Sequence, residues 1–286
     1  MSESPNIPTQ IGPFVFERSI GSGAFSTVYD ARYLNSQYNV AIKVINKSNF
    51  PPDKFDRELT MLQSLDHPYV VAFFECLEDS ENNYLVMEKI NNGSLLQKIN
   101  RLGVFPEHVA RHYFCQLVSA LDYLHNDLKI AHRDIKLDNF LVYDADLDNP
   151  VVILSDFGFA RIFQENEKSE EYIGTPEFAA PEMFKNEPYD NSVDIWSLGI
   201  TLYVMLSGRY PTSSFKIAPN DCRYKIVNGL LNYNLLNRLE ISPDAIDLIH
   251  HMCQVDPNDR ITAADALKHP WIASTSKQTE AETDIA

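Results

Sequence analysis

Residues 132–139 read His-Arg-Asp-Ile-Lys-Leu-Asp-Asn, and seventeen residues after Asn139 the chain reads Asp156-Phe157-Gly158. No other pair of segments constrains the chain so tightly. The first puts a carboxylate, Asp134, and an amide, Asn139, five positions apart on one loop, and the second adds another carboxylate, Asp156. Phosphoryl transfer from ATP needs these groups: one carboxylate orients an attacking hydroxyl and accepts its proton, and two oxygen ligands hold magnesium on the phosphates. Asp156 also follows the apolar run Val151-Val152-Ile153-Leu154. That run predicts a buried strand, where a carboxylate is costly without a cation.

Further motifs come in a fixed order around these two. Gly21-Ser22-Gly23-Ala24-Phe25-Ser26 lies among the first strand-like runs, and its glycines let the backbone fold closely over phosphates. Alone it would read equally well as a tight hairpin turn. Val40-Ala41-Ile42-Lys43 ends an apolar strand, Glu58 sits in a helical pattern nine residues before His67-Pro68, and Ala180-Pro181-Glu182 closes the segment that starts at Asp156. Taken together, the chain resembles a eukaryotic protein kinase catalytic domain of the Ser/Thr type over residues 14 to 272.

The resemblance implies an α+β, bilobal protein-kinase-like fold, and the residue pattern agrees. Residues 14–89 read as a small β-rich N-lobe with one helix, which starts after Pro51-Pro52-Asp53 and carries Phe55, Leu59, Leu62 and Leu65 at helical spacing. Residues 90–272 read as a larger α-helical C-lobe. There Pro106 to Asn126 puts Val109, Tyr113, Leu117, Leu121 and Leu124 on one face. Ser192 to Leu206 is nearly all apolar, as a buried central helix should be, and Ser242-Pro243-Asp244 looks like a helix start. The hinge falls near Lys89 to Asn92, with ATP expected in the cleft between the lobes. Residues 1–13 read as a flexible lead and 273–286 as a disordered acidic tail.

The site residues follow from the resemblance, position by position. Asp134 is the catalytic base or hydroxyl orienter, and Lys136 neutralises the transferred phosphate and marks a Ser/Thr kinase. Asn139 and Asp156 hold Mg2+. Gly21 and Gly23 cover the phosphates, although Ser26 stands where a third glycine is usual. Val28 and Ala41 roof the adenine and Leu141 floors it. Lys43 contacts the α- and β-phosphates and pairs with Glu58, and Glu88 at the edge of the hinge completes the nucleotide-binding set. Leu62, Phe73, His132 and Phe157 are expected to stack as an apolar spine. Asp194 should anchor the His132 loop, and Glu182 and Arg260 should form a buried pair.

The activation segment runs from Asp156 to Glu182. Many relatives carry a phosphorylated threonine four residues before the Thr of Gly-Thr-Pro-Glu, bound to the arginine of His-Arg-Asp. Here Glu171 stands four residues before Thr175, so a permanent charge on Arg133 is expected from Glu171, with Ser169 as the rival acceptor of a phosphate. Thr175 itself is expected to partner Asp134 and Lys136. Gly174-Thr175-Pro176-Glu177-Phe178 and His269-Pro270-Trp271-Ile272 resemble the calcium/calmodulin-dependent and AMP-activated branch. Of three positions where basophilic members carry acids, only Asp138 keeps one; Ser94 and Tyr224 occupy the others. No calmodulin-binding helix is expected after Trp271. Asp144 to Asp148 invites a calcium loop, but Asn149 and Ser155 stand where such a loop needs Gly and Glu, so an enlarged turn is expected.

Length and composition set the remaining bounds. A chain of 286 residues, 44% hydrophobic and 22% charged, can build two lobes with real cores. Net charge is 24 − 40 = −16, which argues against nucleic acid or an anionic membrane as partner and suits basic peptides, although a solvated acidic surface explains it as simply. No apolar run approaches the roughly 18 residues that cross a bilayer. The start, MSESPNIPTQ, lacks both a signal-peptide core and a glycine for myristoylation. Four scattered cysteines show no metal spacing, which suggests a reducing compartment, cytoplasmic or nuclear. The expected partners are protein substrates with Ser/Thr acceptors, and a monomer is expected. The alternative is a pseudokinase scaffold that binds ATP without turnover; intact Lys43, Glu58, Asp134, Asn139 and Asp156 weigh against it. A small-molecule kinase of related fold is disfavoured by the Gly-Thr-Pro-Glu and Ala-Pro-Glu segments.

Overall fold

The computed structural model describes residues 8–23, 26–143, 150–164, 166–212 and 219–273, with nothing said of the side chains of 219–221. The chain divides into two compact units, Met1–Asn91 and Asn92–Ala286. Most of the expected N-terminal lead, the Ala24-Phe25 tip of the glycine loop, the Asp144–Asn149 stretch and the tail beyond residue 273 lie outside the described residues.

The first unit is built on one antiparallel sheet. Its strands are β1 (Gln10–Ile11), β2 (Phe14–Ser22), β3 (Ser26–Tyr33), β4 (Asn39–Asn46), β5 (Phe73–Glu78) and β6 (Asn82–Glu88), in the order β1-β2-β3-β4-β6-β5. β1 corrects the expected flexible lead: Gln10 and Ile11 pair with Val15 and Phe14. Gly12, at φ +51°, makes the turn between them. β4 is buried from Val40 through Ile45, as a central strand covered on both faces must be. Phe14, Ala31, Val40, Ile42, Val44, Tyr84 and Val86 form a core on this sheet.

One helix, α1 (Pro52–Ser64), interrupts the strands, with Pro52 in its first turn where the missing N–H costs nothing. It buries Phe55, Glu58, Met61 and Leu62. The expected stripe was Phe55, Leu59, Leu62 and Leu65. Leu59 is only half-buried, and Leu65 is the extended residue that ends the helix. Met61 takes part of the load, and Glu58, three residues from Phe55 and four from Leu62, lies on the buried face.

The second unit is mostly helical: α2 (Leu95–Leu102), α3 (Glu107–Asp122), α4 (Pro181–Lys185), α5 (Ser192–Ser207), α6 (Pro219–Val227), α7 (Tyr233–Arg238), α8 (Pro243–Met252), α9 (Ala263–Ala266) and α10 (Pro270–Ala273). Short strands β7 (Ile130–Ala131), β8 (Phe140–Tyr143), β9 (Val151–Leu154) and β10 (Arg161–Ile162) form two small hairpin-like sheets, β8 with β9 and β10 with β7. α5 is the buried central helix its apolar sequence predicts. It packs on α8 through Gly199, where an added Cβ would stand 2.6 Å from Cys253 Sγ and 2.8 Å from Met252 Cβ. Ser242 caps α8 by accepting from the Ala245 N–H.

α3 is shorter than expected. From Tyr123 to Asp127 the helix widens into a π turn, the kind of local irregularity that re-aims a side chain. Of its expected apolar face, Tyr113, Leu117, Leu121 and Leu124 are buried and Val109 is half-buried. Gln116 of this helix carries β9: its Oε1 accepts from the Val152 N–H at 2.8 Å and its Nε2 donates to Pro150 O at 3.2 Å.

Candidate active site

In the sheet unit, Lys43 stands on β4 opposite Val28 of β3. Its ammonium donates to Glu58 Oε1 at 2.7 Å, with both side chains nearly buried (11% and 6% exposed). A lone charge there would be costly, so each group holds the other in place. Ala41 is buried, while Val28 and Glu88 are half-buried. Gly23 N–H donates to Ser26 O at 2.8 Å and closes the β2–β3 turn. A Cβ on Gly21 or Gly23 would meet no atom of the described residues nearer than 3.6 Å. Among the described residues nothing therefore demands glycine at either place, which suits a backbone kept bare for a ligand. Lys89 reaches back to Asp30 at 2.6 Å, a buried anchor beside Glu88 that no sequence motif announced.

In the helical unit, the loop between β7 and β8 hangs on Asp194. The carboxylate of this buried residue accepts from the N–H groups of His132 at 2.7 Å and Arg133 at 2.8 Å, and contacts His125 Nε2 at 3.0 Å. Burial alone would push Asp194 up; the hydrogen bond with His125, the favourable electrostatics of His125 and His132, and the His132 N–H outweigh it and hold the carboxyl below the usual aspartate range. His132 Nε2 contacts Ser155 O at 3.1 Å, and its ring meets Phe157 edge-on at 5.0 Å. The expected stacking of His132 on Phe157 is present.

Held in this way, the loop presents a closed ring of polar groups. Asp134 Oδ2 accepts from Lys136 Nζ at 2.7 Å and from Asn139 Nδ2 at 3.2 Å; Oδ1 accepts from Thr175 Oγ1 at 2.8 Å; and Lys136 Nζ donates to Thr175 Oγ1 at 2.9 Å. Asn139 Nδ2 also donates to Asp134 O at 2.8 Å, which leaves Oδ1 as the atom able to ligate a cation. Gly174 lets the activation segment touch the loop. It has φ +87°, and a Cβ there would lie 2.4 Å from Arg133 O.

The segment that carries Asp156 is tied to Asn139 through Ser155, whose N–H and Oγ both donate to Asn139 O at 2.9 Å. Asp156 itself is exposed, at φ +62°. The sequence argument from burial therefore fails for its carboxylate, because the buried strand ends at Leu154 and the chain turns out to solvent. An amide oxygen and an exposed carboxylate are hard oxygen donors of the type magnesium prefers, so the pair fits that ion. Leu141 is half-buried on β8 opposite Ile153.

Around this ring, the Arg260 guanidinium meets the Glu182 carboxylate through two bonds of 2.5 and 2.6 Å, as expected. Arg133 meets Glu171 at 3.0 Å. Ser94 is buried and caps α2 in a reciprocal bond with Gln97, which explains a serine there in helix terms. Asp247, His251 and His269 have metal-like spacing. However, His269 Nε2 faces Asp247 Oδ2 at 3.1 Å while its Nδ1 accepts from the Trp271 N–H at 3.3 Å. Both ring nitrogens are thus already employed in holding the start of α10.

Comparison with known proteins agrees with this geometry. The sequence model described as the protein kinase domain matches residues 14–272. The chain is 36% identical over 269 residues to serine/threonine-protein kinase dkf-2 of Caenorhabditis briggsae, covering 92% of this chain and 22% of that one. It is 33% identical over 271 residues to serine/threonine-protein kinase SIK2 of Gallus gallus, covering 93% and 32%. A probable myosin light chain kinase of Dictyostelium discoideum is 34% identical over 271 residues, covering 94% and 84%. The chain thus spans less than a third of the length of the first two relatives.

Proposed function

The chain belongs to the protein kinase domain family, and on that premise we propose that it transfers the γ-phosphoryl group of ATP to serine or threonine hydroxyls of protein substrates. The observation that carries this reading is the ring around Asp134. An ionised carboxylate offers about four acceptor sites. Three are taken, by Lys136 and Asn139 on Oδ2 and by Thr175 on Oδ1. One site on Oδ1 is left for an incoming hydroxyl.

In the reaction that follows, the substrate oxygen forms a bond to the γ-phosphorus and its proton passes to Asp134. The bond from that phosphorus to the bridging oxygen breaks, and ADP leaves. Lys136 lies 2.7 Å from the base and meets the charge on the transferred group. Lys43, fixed by Glu58, holds the α- and β-phosphates, with Gly21 and Gly23 kept bare beside them. The resemblance assigns to the nucleotide, in addition, Val28, Ala41 and Glu88 of the sheet unit and Leu141 of the helical unit. Asn139 and Asp156 would hold magnesium, which when bound supplies charge neutralisation on the phosphates.

Finer features of the reading have their own support. Burial, then the charges of Glu177 and Asp138, push the Tyr210 hydroxyl up, so the negative charge of both carboxylates is felt at that side chain. This favours a basic residue in the substrate, although Ser94 and Tyr224 add no acid to it. Four free thiols support a reducing compartment, cytoplasmic or nuclear. We place the chain there as a monomer acting on protein rather than on nucleic acid or membrane.

The test is transfer of labelled phosphate from Mg-ATP to a positional peptide library, with Asp134→Asn and Asp156→Ala alongside. Transfer to Ser or Thr, reduced at least about a thousandfold in both variants, is the expected result. Binding of ATP with no transfer by the unaltered chain would sink the reading.

A further inference from the structure

The sheet of the first unit has two faces of different character. Ala31, Val40, Ile42, Val44, Tyr84 and Val86 form the core on one of them. Strand residues alternate, so Val28 and Asp30 of β3 share the opposite face. There Val28 pairs with Lys43 and Asp30 with Ala41, and Ala41 pairs in turn with Met87 of β6. Asp30 thus stands on the face that carries Lys43, two residues along β3 from Val28.

A carboxylate is costly at this place. Asp30 is 3% exposed, and its Oδ1 has no hydrogen-bond partner among the described residues. Its Oδ2 accepts from Lys89 Nζ at 2.6 Å. Arg18 Nε lies 3.9 Å from the same oxygen, too far for a hydrogen bond, on a side chain that is mostly exposed. As a device for stability alone the pair is poor. Apolar side chains of similar volume commonly hold a buried position as well or better, and they leave no orphan oxygen.

The position of Lys89 gives the pair another use. Lys89 is the first residue after β6. The Glu88 N–H bonds Ala72 O at 2.9 Å, but the main chain of Lys89, Ile90 and Asn91 bonds to no other backbone group among the described residues. Main-chain N–H and C=O groups left in this way are a donor and acceptor edge that the amino group and ring nitrogens of a purine can match. The polar tie that fixes this edge is the Lys89 side chain on Asp30.

We propose that Asp30 and Lys89 are positioning residues for the purine base: the buried pair pins the main chain after β6 to the roof strand β3 and so sets the affinity for ATP through its base, not its phosphates. The inference rests on the kinase reading above, which puts the adenine under Val28 and Ala41. Neither side chain touches the reacting atoms, so loss of the pair weakens ATP and leaves the chemical step alone.

The experiment uses the full chain. It measures Kd for Mg-ATP by calorimetry, Kd for magnesium tripolyphosphate, which has the phosphates without the base, and steady-state rates on a Ser/Thr peptide. The main variant replaces both partners, Asp30→Leu with Lys89→Met, so that no charge is stranded and the urea midpoint stays near the parent's. Mg-ATP should bind it about tenfold more weakly, as loss of one charge-assisted bond dictates. KM for ATP should rise in step, with kcat within about twofold and tripolyphosphate unchanged. Lys89→Arg keeps the ion pair and should stay within about threefold of the parent. Should the double variant not fold, Asp30→Asn removes only the charge and should weaken Mg-ATP about threefold, again with tripolyphosphate unchanged. An unchanged Kd for Mg-ATP in a folded variant, or a tripolyphosphate Kd that weakens by the same factor, shows a purely structural pair; it overturns the proposal and leaves the kinase reading standing. An unaltered chain that binds no Mg-ATP overturns both. Binding without transfer overturns the kinase reading, and the two dissociation constants still decide the proposal.

Discussion

Two of the arginine–glutamate pairs in the helical unit are built in opposite ways. Arg260 and Glu182 are 1% and 2% exposed and meet through two bonds. Arg133 and Glu171 are 7% and 58% exposed and meet through one. In the first pair neither partner can reach water, so each neutralises the other's charge, and three backbone carbonyls take further guanidinium N–H groups. In the second the glutamate has a good alternative in solvent, and only the arginine is committed. The first therefore belongs to architecture, and its loss should be read in stability. The second is adjustable, and its loss should be read in rate.

Four measurements sharpen or break this contrast, beginning with the largest effect. Glu182→Ala strands a buried guanidinium and should cost about 3–5 kcal/mol in urea unfolding. Replacing both partners, Glu182→Leu with Arg260→Met, should recover most of that. A single variant as stable as the parent would end the architectural reading. Asp194→Asn comes next, at about 2–3 kcal/mol, because one oxygen that accepts backbone N–H bonds is replaced by a donor. Here pH provides the check. The folded Asp194 carboxyl lies below its usual range, so its contribution is full above about pH 4 and is lost as pH falls through the lower folded value. An acid titration should show the parent's advantage over Asp194→Asn shrinking in that window; a constant gap would refute the assignment. Ser242→Ala removes the cap of α8 and should cost about 1 kcal/mol by thermal unfolding. Glu171→Ala should cost the least, under about 1 kcal/mol as expected of an exposed carboxylate, yet it should slow turnover about tenfold. If it destabilises the chain as much as Glu182→Ala does, the two pairs are of one kind.

What could be read from the sequence was the chemistry that sits close together along the chain. Asp134, Lys136 and Asn139 occupy six consecutive positions, and the structure shows them bonded to one another. Lys43 and Glu58 were paired by resemblance and meet at 2.7 Å. A nearly all-apolar run found α5, because every face of that helix is buried, whereas periodicity served for α1. It misplaced Leu65 because a 3.6-residue pattern does not say where a helix stops. It also gave no sign of β1, since two residues are too few to show a period. Tyr189 was missed for a different reason. An aromatic between Pro188 and Asp190 looks like any loop residue, and its role comes from a bridge to Ser169, twenty positions earlier. The argument that Asp156 must be buried failed because strand burial was carried one turn too far.

The carboxylate on Arg133 also bears on how such an enzyme can be switched off. A phosphate is a removable mark, and a phosphatase can erase it while leaving the protein intact. A glutamate side chain is encoded in the gene and leaves only when the polypeptide is destroyed. The charge that Glu171 places on Arg133 is therefore one that a phosphatase cannot lift.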